Sequence, residues 1–145
     1  MYKRQEDDLI GVEAKSYIDK LSRSLFHSYN IDNDKIKLTA DIDDITLDVD
    51  KIVPLGLIIN ELITNSLKYA FEKQENGNIH LSLKEAREGI IFSIADDGVG
   101  LPEQFSLNGN KSLGFRLIKA FSKKLEAVLS IQSKEGTVVS LTIPN

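Results

Sequence analysis

The spacing of hydrophobic residues changes several times along the first half of the chain, and each change predicts a different element. Between Val12 and Tyr29, apolar residues recur at intervals of three or four, which predicts an amphipathic helix. From Lys35 to Ile42 they alternate with polar residues, a pattern typical of a strand with one wet face, and Ile45 to Val49 reads as a shorter extended segment. The helical spacing then returns from Lys51 to Phe71.

The helix predicted from Lys51 to Phe71 has the clearest division into two faces. Asp50 is a candidate N-cap, and Pro54 is predicted to lie in the first turn, where a missing N–H is tolerated. The face expected to turn inward is broad and apolar, and consists of Leu55, Ile58, Ile59, Leu62, Ile63, Ser66, Leu67 and Ala70.

The second half of the chain contains adjacent strands that are interrupted by one irregular stretch and one helix. This order favours a two-layer α/β sandwich, with a mixed β-sheet covered on one face by helices, over a doubly wound Rossmann fold. The predicted elements are strands at Ile79 to Lys84 and Ile90 to Ala95, the irregular stretch from Asp97 to Ser112, a helix at Leu113 to Leu125, and a hairpin of Val128 to Ser133 and Thr137 to Ile143.

The composition narrows the classes of function. The 145 residues suggest one domain, and the absence of cysteine excludes disulfides, thiolate metal sites and cysteine nucleophiles. The net charge is −4 and the basic residues are scattered, so we expect neither nucleic acid as a partner nor direct contact with a membrane. No apolar run approaches the ~18 residues of a membrane helix. A cytoplasmic protein is the expectation.

Three polar residues share one face of the helix predicted at Lys51 to Phe71. At helical spacing, Glu61, Asn65 and Lys68 fall within roughly 60° of one another, opposite the apolar face, with Tyr69 at the edge of the group. Mg²⁺ prefers oxygen ligands and keeps several waters, so a single Asn or Glu can be enough to bind it. Taken alone, the group is better explained as a solvated helix face.

A second candidate segment, Asp96-Asp97-Gly98-Val99-Gly100, directly follows a predicted strand. A carboxylate at a strand end can accept a hydrogen bond from the amine of adenine, and the glycines allow a sharp turn close to a ligand. By itself the segment could equally be an acidic turn. Neither a P-loop nor a G-x-G-x-x-G sequence is present.

Two weaker segments complete the set. Ser112-Leu113-Gly114-Phe115 opens a predicted helix, where backbone amides attract phosphate, and Lys111 and Arg116 add positive charge. Gly136-Thr137 lies in the last hairpin and would alone be only a turn.

Together, in order and spacing, these four segments resemble the GHKL superfamily of histidine kinases, type II topoisomerases, a heat-shock chaperone and mismatch-repair ATPases. The resemblance extends from about Val12 to Pro144. Asn60 to Ala70 resembles the N-box, Asp96 to Gly100 the G1 box, Ser112 to Phe115 a shortened G2 box, and Gly136-Thr137 the last box.

Pro54 to Leu62 is especially similar to the HWE-like branch of sensor histidine kinases. The resemblance therefore implies the Bergerat ATP-binding fold, with ATP and Mg²⁺ as cofactors. It implies that Asn65 ligates Mg²⁺, that Glu61 acts either as a metal-shell ligand or as a catalytic base, and that Lys68 contacts phosphate. It also implies that Asp96 binds the adenine amine, assisted by Thr137 through a shared water. The other implied nucleotide-binding residues are Tyr69, Gly98, Gly100, Lys111, Ser112, Leu113 and Gly114.

The sequence departs from the family pattern at the segment expected to form the ATP lid, Leu101 to Leu113. The G2 box has one glycine, Gly114, where many kinases have a Gly-x-Gly pair. A recognisable F-box is missing, with Phe105 as its only candidate remnant. The two histidines, His27 and His80, lack the sequence surroundings of a phosphoacceptor, so we interpret both as structural.

The resemblance implies that residues 1–11 are a linker from an upstream dimerisation hairpin that carries the phosphoacceptor histidine, and that residues 12–145 are the ATP-binding catalytic domain. The expected function is transfer of the γ-phosphoryl group of ATP to that histidine in two-component signal transduction, with a response regulator downstream. Without the hairpin, the domain is expected to be inactive. A GHKL-type ATPase that uses Glu61 to activate water, an anti-sigma-like serine kinase, and a nucleotide-switched binding module remain as alternatives.

Overall fold

The computed structural model describes residues 11–32, 34–70, 76–98, 113–133 and 135–144. Ten helices and strands follow one another along this part of the chain, and α2 continues into a π-helical turn at Ser66–Ala70. In chain order the elements are β1 (Gly11–Glu13), α1 (Ala14–Ser28), β2 (Ile36–Ile42), β3 (Thr46–Asp48), α2 (Val49–Asn65), β4 (Gly77–Ala86), β5 (Gly89–Asp96), α3 (Leu113–Lys124), β6 (Val128–Ser133) and β7 (Thr137–Pro144).

Five of the strands form the main sheet, in the order β2-β4-β5-β7-β6. β2 and β4 run parallel, whereas the other three pairings are antiparallel, so the sheet is mixed as predicted. A parallel pair needs a long crossover connection, and here that connection contains α2. β1 and β3 form a separate two-stranded sheet at the start of the domain.

The hydrophobic core lies between one face of the main sheet and the helices, which confirms the two-layer α/β architecture. Alternate residues of the central strands point into the core, among them Leu81, Phe92 and Leu141, which are all but inaccessible to solvent. The helical layer is centred on α2, whose most buried apolar side chains are Ile52, Leu55, Ile58, Ile59 and Ile63. The predicted inward face of this helix is therefore confirmed for Leu55, Ile58, Ile59, Leu62 and Ile63, whereas Leu67 is half-buried and the side chain of Ala70 lies outside the described residues.

The beginnings of two helices differ from the prediction. α1 begins at Ala14 and not at Val12, because Gly11–Glu13 pairs with Thr46–Asp48. α2 begins at Val49 after Asp48, so the assignment of Asp50 as N-cap was wrong, and the side chain of Asp48 makes no capping hydrogen bond either. Pro54 is consequently inside the helix and beyond its first turn. It removes one backbone hydrogen bond there, although its ring is buried in the core.

The end of α2 also differs from a regular helix. After Asn65 the chain continues as a π-helical turn at Ser66–Ala70, in which hydrogen bonds join residues five apart. The angle between successive side chains is smaller here than in an α-helix, and such turns are frequent at functional sites. Among the described residues, no helix is both long enough and apolar enough to span a bilayer.

Candidate functional site

Asp96 is the last residue of β5, a central strand of the sheet, and both oxygens of its carboxylate accept hydrogen bonds. The hydroxyl of Ser66 donates to Oδ2 over 2.8 Å, and the backbone N–H of Gly98 donates to Oδ1 over 3.1 Å. Ser66 is 8% exposed and belongs to the turn that ends α2. The Asp96 carboxylate is thus oriented from the helical layer on one side and from the following loop on the other.

The neighbouring carboxylate, Asp97, has a different role. Its Oδ1 accepts the backbone N–H of Asn78 over 2.7 Å, and its Oδ2 accepts the Asn78 side-chain amide over 2.8 Å. Asp97 therefore fastens the start of the loop to β4, whereas the half-buried Asp96 faces the end of α2. Of the two carboxylates, Asp96 is therefore the one that contacts the helical layer.

The turn between β6 and β7 approaches the same end of β5. Thr137 is directly opposite Asp96 in the antiparallel register. Gly136 has a φ of +116°, and a Cβ at this position would overlap the carbonyl oxygen of Asp96. Only glycine allows the two strands to meet this closely, which explains the Gly-Thr sequence and brings Thr137 to the Asp96 end of the sheet.

A second group of polar side chains lies where α2 meets the first turn of α3. A Cβ built on Gly114 would be 3.0 Å from Oε2 of Glu61 and 3.7 Å from Nδ2 of Asn65. Glu61 and Asn65 are half-buried, so their helix face is covered in part by α3 and is not simply solvated. Because Gly114 has no side chain, the carboxylate and the amide lie next to backbone N–H groups at a helix N-terminus, which carry partial positive charge.

The two groups are joined through consecutive residues of the chain. Asn65 is the last residue of α2 and lies next to Gly114, while Ser66 is the first residue of the π-helical turn and contacts Asp96. Lys68 belongs to the same turn, but its side chain is exposed, and no hydrogen bond or ion pair joins it to Glu61 or Asn65 in the part of the chain that the structure describes.

Several predicted site residues belong to parts of the chain that the structure does not describe. Gly100, Lys111 and Ser112 lie outside the described residues, as do the side chains of Tyr69 and Leu113. The segment predicted to form the lid is Leu101 to Leu113, and only the backbone of Leu113 belongs to the described residues. Phe105 therefore lies outside the described residues as well.

Within the described part of the chain, Ser66 makes a site contact that sequence reasoning did not identify. It was assigned to the apolar face of the helix without a partner. A hydroxyl on a face that is otherwise apolar needs a hydrogen bond once it is buried, and this requirement was the signal that could have revealed it.

Neither histidine lies in this site. His27 is exposed near the end of α1, and His80 is exposed on β4, where its Nδ1 and the Thr39 hydroxyl are 2.6 Å apart.

The part of the chain that carries the acidic strand end, the polar helix face and the helix N-terminus matches a family model. The model for the histidine kinase-, DNA gyrase B- and HSP90-like ATPases matches residues 50–145, which include every part of the site described above. The chain belongs to this ATPase family. The domain is thus an ATP-binding domain, and its two groups of site residues belong to the part of the chain that the family shares.

Within the ATPase family, the curated relatives of the domain include sensor kinases. It is 28% identical to a blue-light-activated histidine kinase of Erythrobacter litoralis over 151 residues, covering 97% of this chain and 43% of the relative. It is 30% identical to the sensor histidine kinase PdtaS of Mycobacterium tuberculosis over 102 residues, covering 68% of this chain and 20% of the relative. The chain thus spans less than half the length of these two relatives. A match to an anti-sigma F factor of Bacillus licheniformis, 24% identical, covers only 48% of this chain and 47% of that factor.

The fold of the domain is that of histidine kinase catalytic domains. The histidine kinase domain of the Erythrobacter litoralis EL346 blue-light activated kinase superposes with a TM-score of 0.85 at 24% identity, covering 92% of this chain and 65% of that chain. The mycobacterial sensor histidine kinase MprB superposes with a TM-score of 0.72 at 18% identity, covering 92% and 95% of the two chains. The predicted Bergerat fold is therefore confirmed.

Proposed function

We propose that this domain binds ATP with Mg²⁺ between the end of α2, the end of β5 and the start of α3, and transfers the γ-phosphoryl group to a histidine on a separate helical hairpin. The observation that carries the proposal is the pair of contacts made by consecutive residues. Ser66 bonds to Asp96 over 2.8 Å, and Asn65 lies beside Gly114. An adenine at Asp96 and phosphates at the α3 N-terminus would then lie at the two ends of one site.

The residues around Gly114 suit a magnesium-bound triphosphate. The absent Cβ leaves a space bordered by a carboxylate oxygen of Glu61 and the amide of Asn65. No group of three or more His, Asp or Glu side chains suited to a metal occurs among the described residues. A Mg²⁺ ion with few protein ligands and with phosphate and water oxygens as the rest fits this donor set. When bound, the ion neutralises negative charge on the phosphates.

The roles of the chain's own residues follow from where they lie. Asn65 would ligate the Mg²⁺ ion and thereby orient the phosphates, and the first amides of α3, beginning near Gly114, would donate to phosphate oxygens. Lys68 is exposed in the turn after α2 and is free to reach a phosphate. Catalysis is then mainly positioning and charge stabilisation, as expected for phosphoryl transfer.

Glu61 has two possible roles that experiment can separate. Its carboxylate lies at the α3 N-terminus, where it could accept the proton of the attacking imidazole or complete the metal shell through water. If Glu61 is the base, Glu61→Gln is expected to slow phosphoryl transfer more than it weakens ATP binding. If it is a metal-shell ligand, transfer and binding are expected to fall together. Single-turnover transfer and ATP affinity, measured on the same protein, provide the comparison.

The kinase proposal itself is tested by product analysis with labelled ATP. The domain alone is expected to release phosphate slowly and to label itself negligibly. With a phosphoacceptor hairpin from the same signalling protein, label is expected on the hairpin as an acid-labile phosphoramidate. Acid-stable phosphoserine on a partner would instead favour the alternative of an anti-sigma-like serine kinase. Rapid phosphate release by the domain alone, lost in Glu61→Gln, would favour an ATPase.

Ser66→Ala is expected to weaken ATP binding about 5- to 10-fold, because one hydrogen bond that orients the Asp96 carboxylate is lost, a contribution of about 1 kcal/mol. The matched control is Ser122→Ala, since Ser122 is also buried but donates to the Ile118 carbonyl within α3, away from Asp96. Calorimetric titration of the two variants provides the test. Equal affinities would show that Ser66 does not support the Asp96 carboxylate.

A further inference from the structure

A groove of about 980 Å³ lies between α1 and β2, away from the proposed ATP site. β2 is an outermost strand of the main sheet, and β4 separates it from the strand that carries Asp96. The groove is lined on one side by the last three turns of α1 and on the other by the first five residues of β2. It therefore runs alongside an edge of the sheet that no described strand covers.

The hydrogen-bonding pattern shows which backbone groups of β2 face this edge. The N–H of Gly77 bonds to the carbonyl of Lys35, and the N–H of Asp43 bonds to the carbonyl of Leu83. In a parallel ladder every second residue directs its backbone groups to the same neighbour, so the odd-numbered residues of β2 face β4. Leu38, Ala40 and Ile42 consequently direct their N–H and C=O groups outward. Within the described part of the chain, none of these groups has a backbone partner.

The floor of the groove is apolar. Phe26 of α1, Ile31 of the following turn, and Ile36 and Leu38 of β2 all line it. Phe26 is 6% exposed, and the other three are half-buried, so each has some surface still open to solvent. A strand placed beside β2 would direct every second side chain towards this floor.

The charges at the rim favour an acidic occupant. Lys37 lies on the opposite face of β2 from Leu38 and has no ion-pair partner among the described residues. Arg23 is paired only with Asp19, over 3.1 Å, and its side chain is 78% exposed. An incoming strand with an acidic residue on its outward face would lie beside the Lys37 ammonium.

We propose that the β2 edge and the α1–β2 groove bind an extended peptide of a partner protein, which adds as a sixth strand to the main sheet. The peptide places apolar side chains at alternate positions on Phe26 and Leu38 and acidic side chains between them, next to Lys37. Main-chain hydrogen bonds to Leu38, Ala40 and Ile42 provide affinity, and the apolar floor provides selectivity, as in other cases of strand addition. A bare peptide suits the groove better than a second copy of this chain, because that copy would bring its own α1, about 10 Å wide, against the same rim.

The probe is a capped eight-residue peptide of alternating valine and glutamate, with an analogue that carries proline at the two central positions as its control. Amide hydrogen exchange, followed by NMR on the whole chain, is expected to slow at least about tenfold at Leu38, Ala40 and Ile42 when the peptide is saturating, because those N–H groups become hydrogen-bonded. The proline analogue is expected to leave their exchange unchanged. Unchanged exchange with both peptides would overturn the proposal.

Two variants locate the peptide. Ala40→Pro removes an outward N–H without breaking the ladder to β4, and is expected to weaken peptide binding by about tenfold or more. Ala40→Ser keeps the N–H and is expected to bind as the parent does. Equal binding by the two variants would contradict strand addition.

Charge reversal at Lys37 tests the proposed binding of an acidic peptide even if the Ala40→Pro variant does not fold. Lys37→Glu is expected to bind a valine–lysine peptide in preference to the valine–glutamate peptide, which reverses the preference of the parent. The control is Lys20→Glu, because Lys20 is on the same helix as Arg23 but outside the groove. This control variant is expected to keep the preference of the parent. If Lys37→Glu kept the preference of the parent, the proposal that acidic side chains of the peptide lie next to Lys37 would be overturned. Slow exchange of the three amides without any peptide would also overturn the proposal. If this slow exchange disappeared when the protein was diluted, the groove would be occupied by a second copy of the chain. If the slow exchange persisted, the groove would be occupied by a segment of the same chain.

Discussion

Asp96→Asn is expected to weaken ATP binding and to remove most of the preference for ATP over GTP. In the proposed site, the half-buried Asp96 carboxylate, which accepts hydrogen bonds from Ser66 and Gly98, also accepts one from the adenine amine. Guanine presents a carbonyl at the same position, and two facing acceptors leave a desolvated group unpaired at a cost of about 1–3 kcal/mol, or a preference of about 5- to 150-fold. The side chain of asparagine can direct its NH₂ group towards the guanine carbonyl, which reduces that penalty.

Asp97→Asn is the matched control, because it makes the same chemical change at the adjacent residue. Asp97 bonds to the backbone and side chain of Asn78, so this variant is expected to lower the melting temperature while keeping the preference for ATP. Competition titrations of ATP and GTP against a fluorescent nucleotide measure both variants. Equal affinity of the parent for ATP and GTP would remove Asp96 from the adenine site.

Asn65→Ala is expected to abolish the dependence of ATP affinity on Mg²⁺. Loss of even an outer-shell group typically lowers metal affinity by about 10- to 100-fold, so loss of a direct ligand is expected to reach at least about 100-fold. The fold should persist, because Asn65 lies at the end of α2 and is only half-buried. Titration of ATP with Mg²⁺ and with a chelator, on the parent and the variant, provides the measurement.

Asn60→Ala controls for the loss of an amide from the same helix. Asn60 is also half-buried, but it is five residues before Asn65. This variant is expected to retain the full effect of Mg²⁺. If Asn65→Ala retained it as well, the metal site would have to be sought elsewhere.

The sheet and the central helix could be predicted because their apolar periodicities are local and strong. Ile36 to Ile42 alternates with a period of two, and the apolar residues of α2 keep a helical period over four turns. The start of α1 could not be predicted in this way. Gly11–Glu13 is extended because it pairs with Thr46–Asp48, a contact between residues far apart in sequence that no local pattern reveals.

The elements that carry the candidate site were predictable, whereas the contacts between them were less so. Asp96 ends β5, Thr137 begins β7 and Gly114 lies in the first turn of α3, close to the predicted ends of these elements. The grouping of Lys68 with Glu61 and Asn65 assumed α-helical angles throughout, and the π-helical turn at Ser66–Ala70 departs from those angles. That turn also brings Ser66 to Asp96. This contact joins residues 30 apart in sequence, which a local sequence pattern does not contain.

The most direct test of the central claim is a crystal structure of the domain with a non-hydrolysable ATP analogue and Mg²⁺. The account predicts the adenine amine within hydrogen-bonding distance of the Asp96 carboxylate, with the metal and phosphates between Asn65 and the first turn of α3. An analogue bound elsewhere, or an adenine that leaves the Asp96 carboxylate with only its bonds from Ser66 and Gly98, would contradict it.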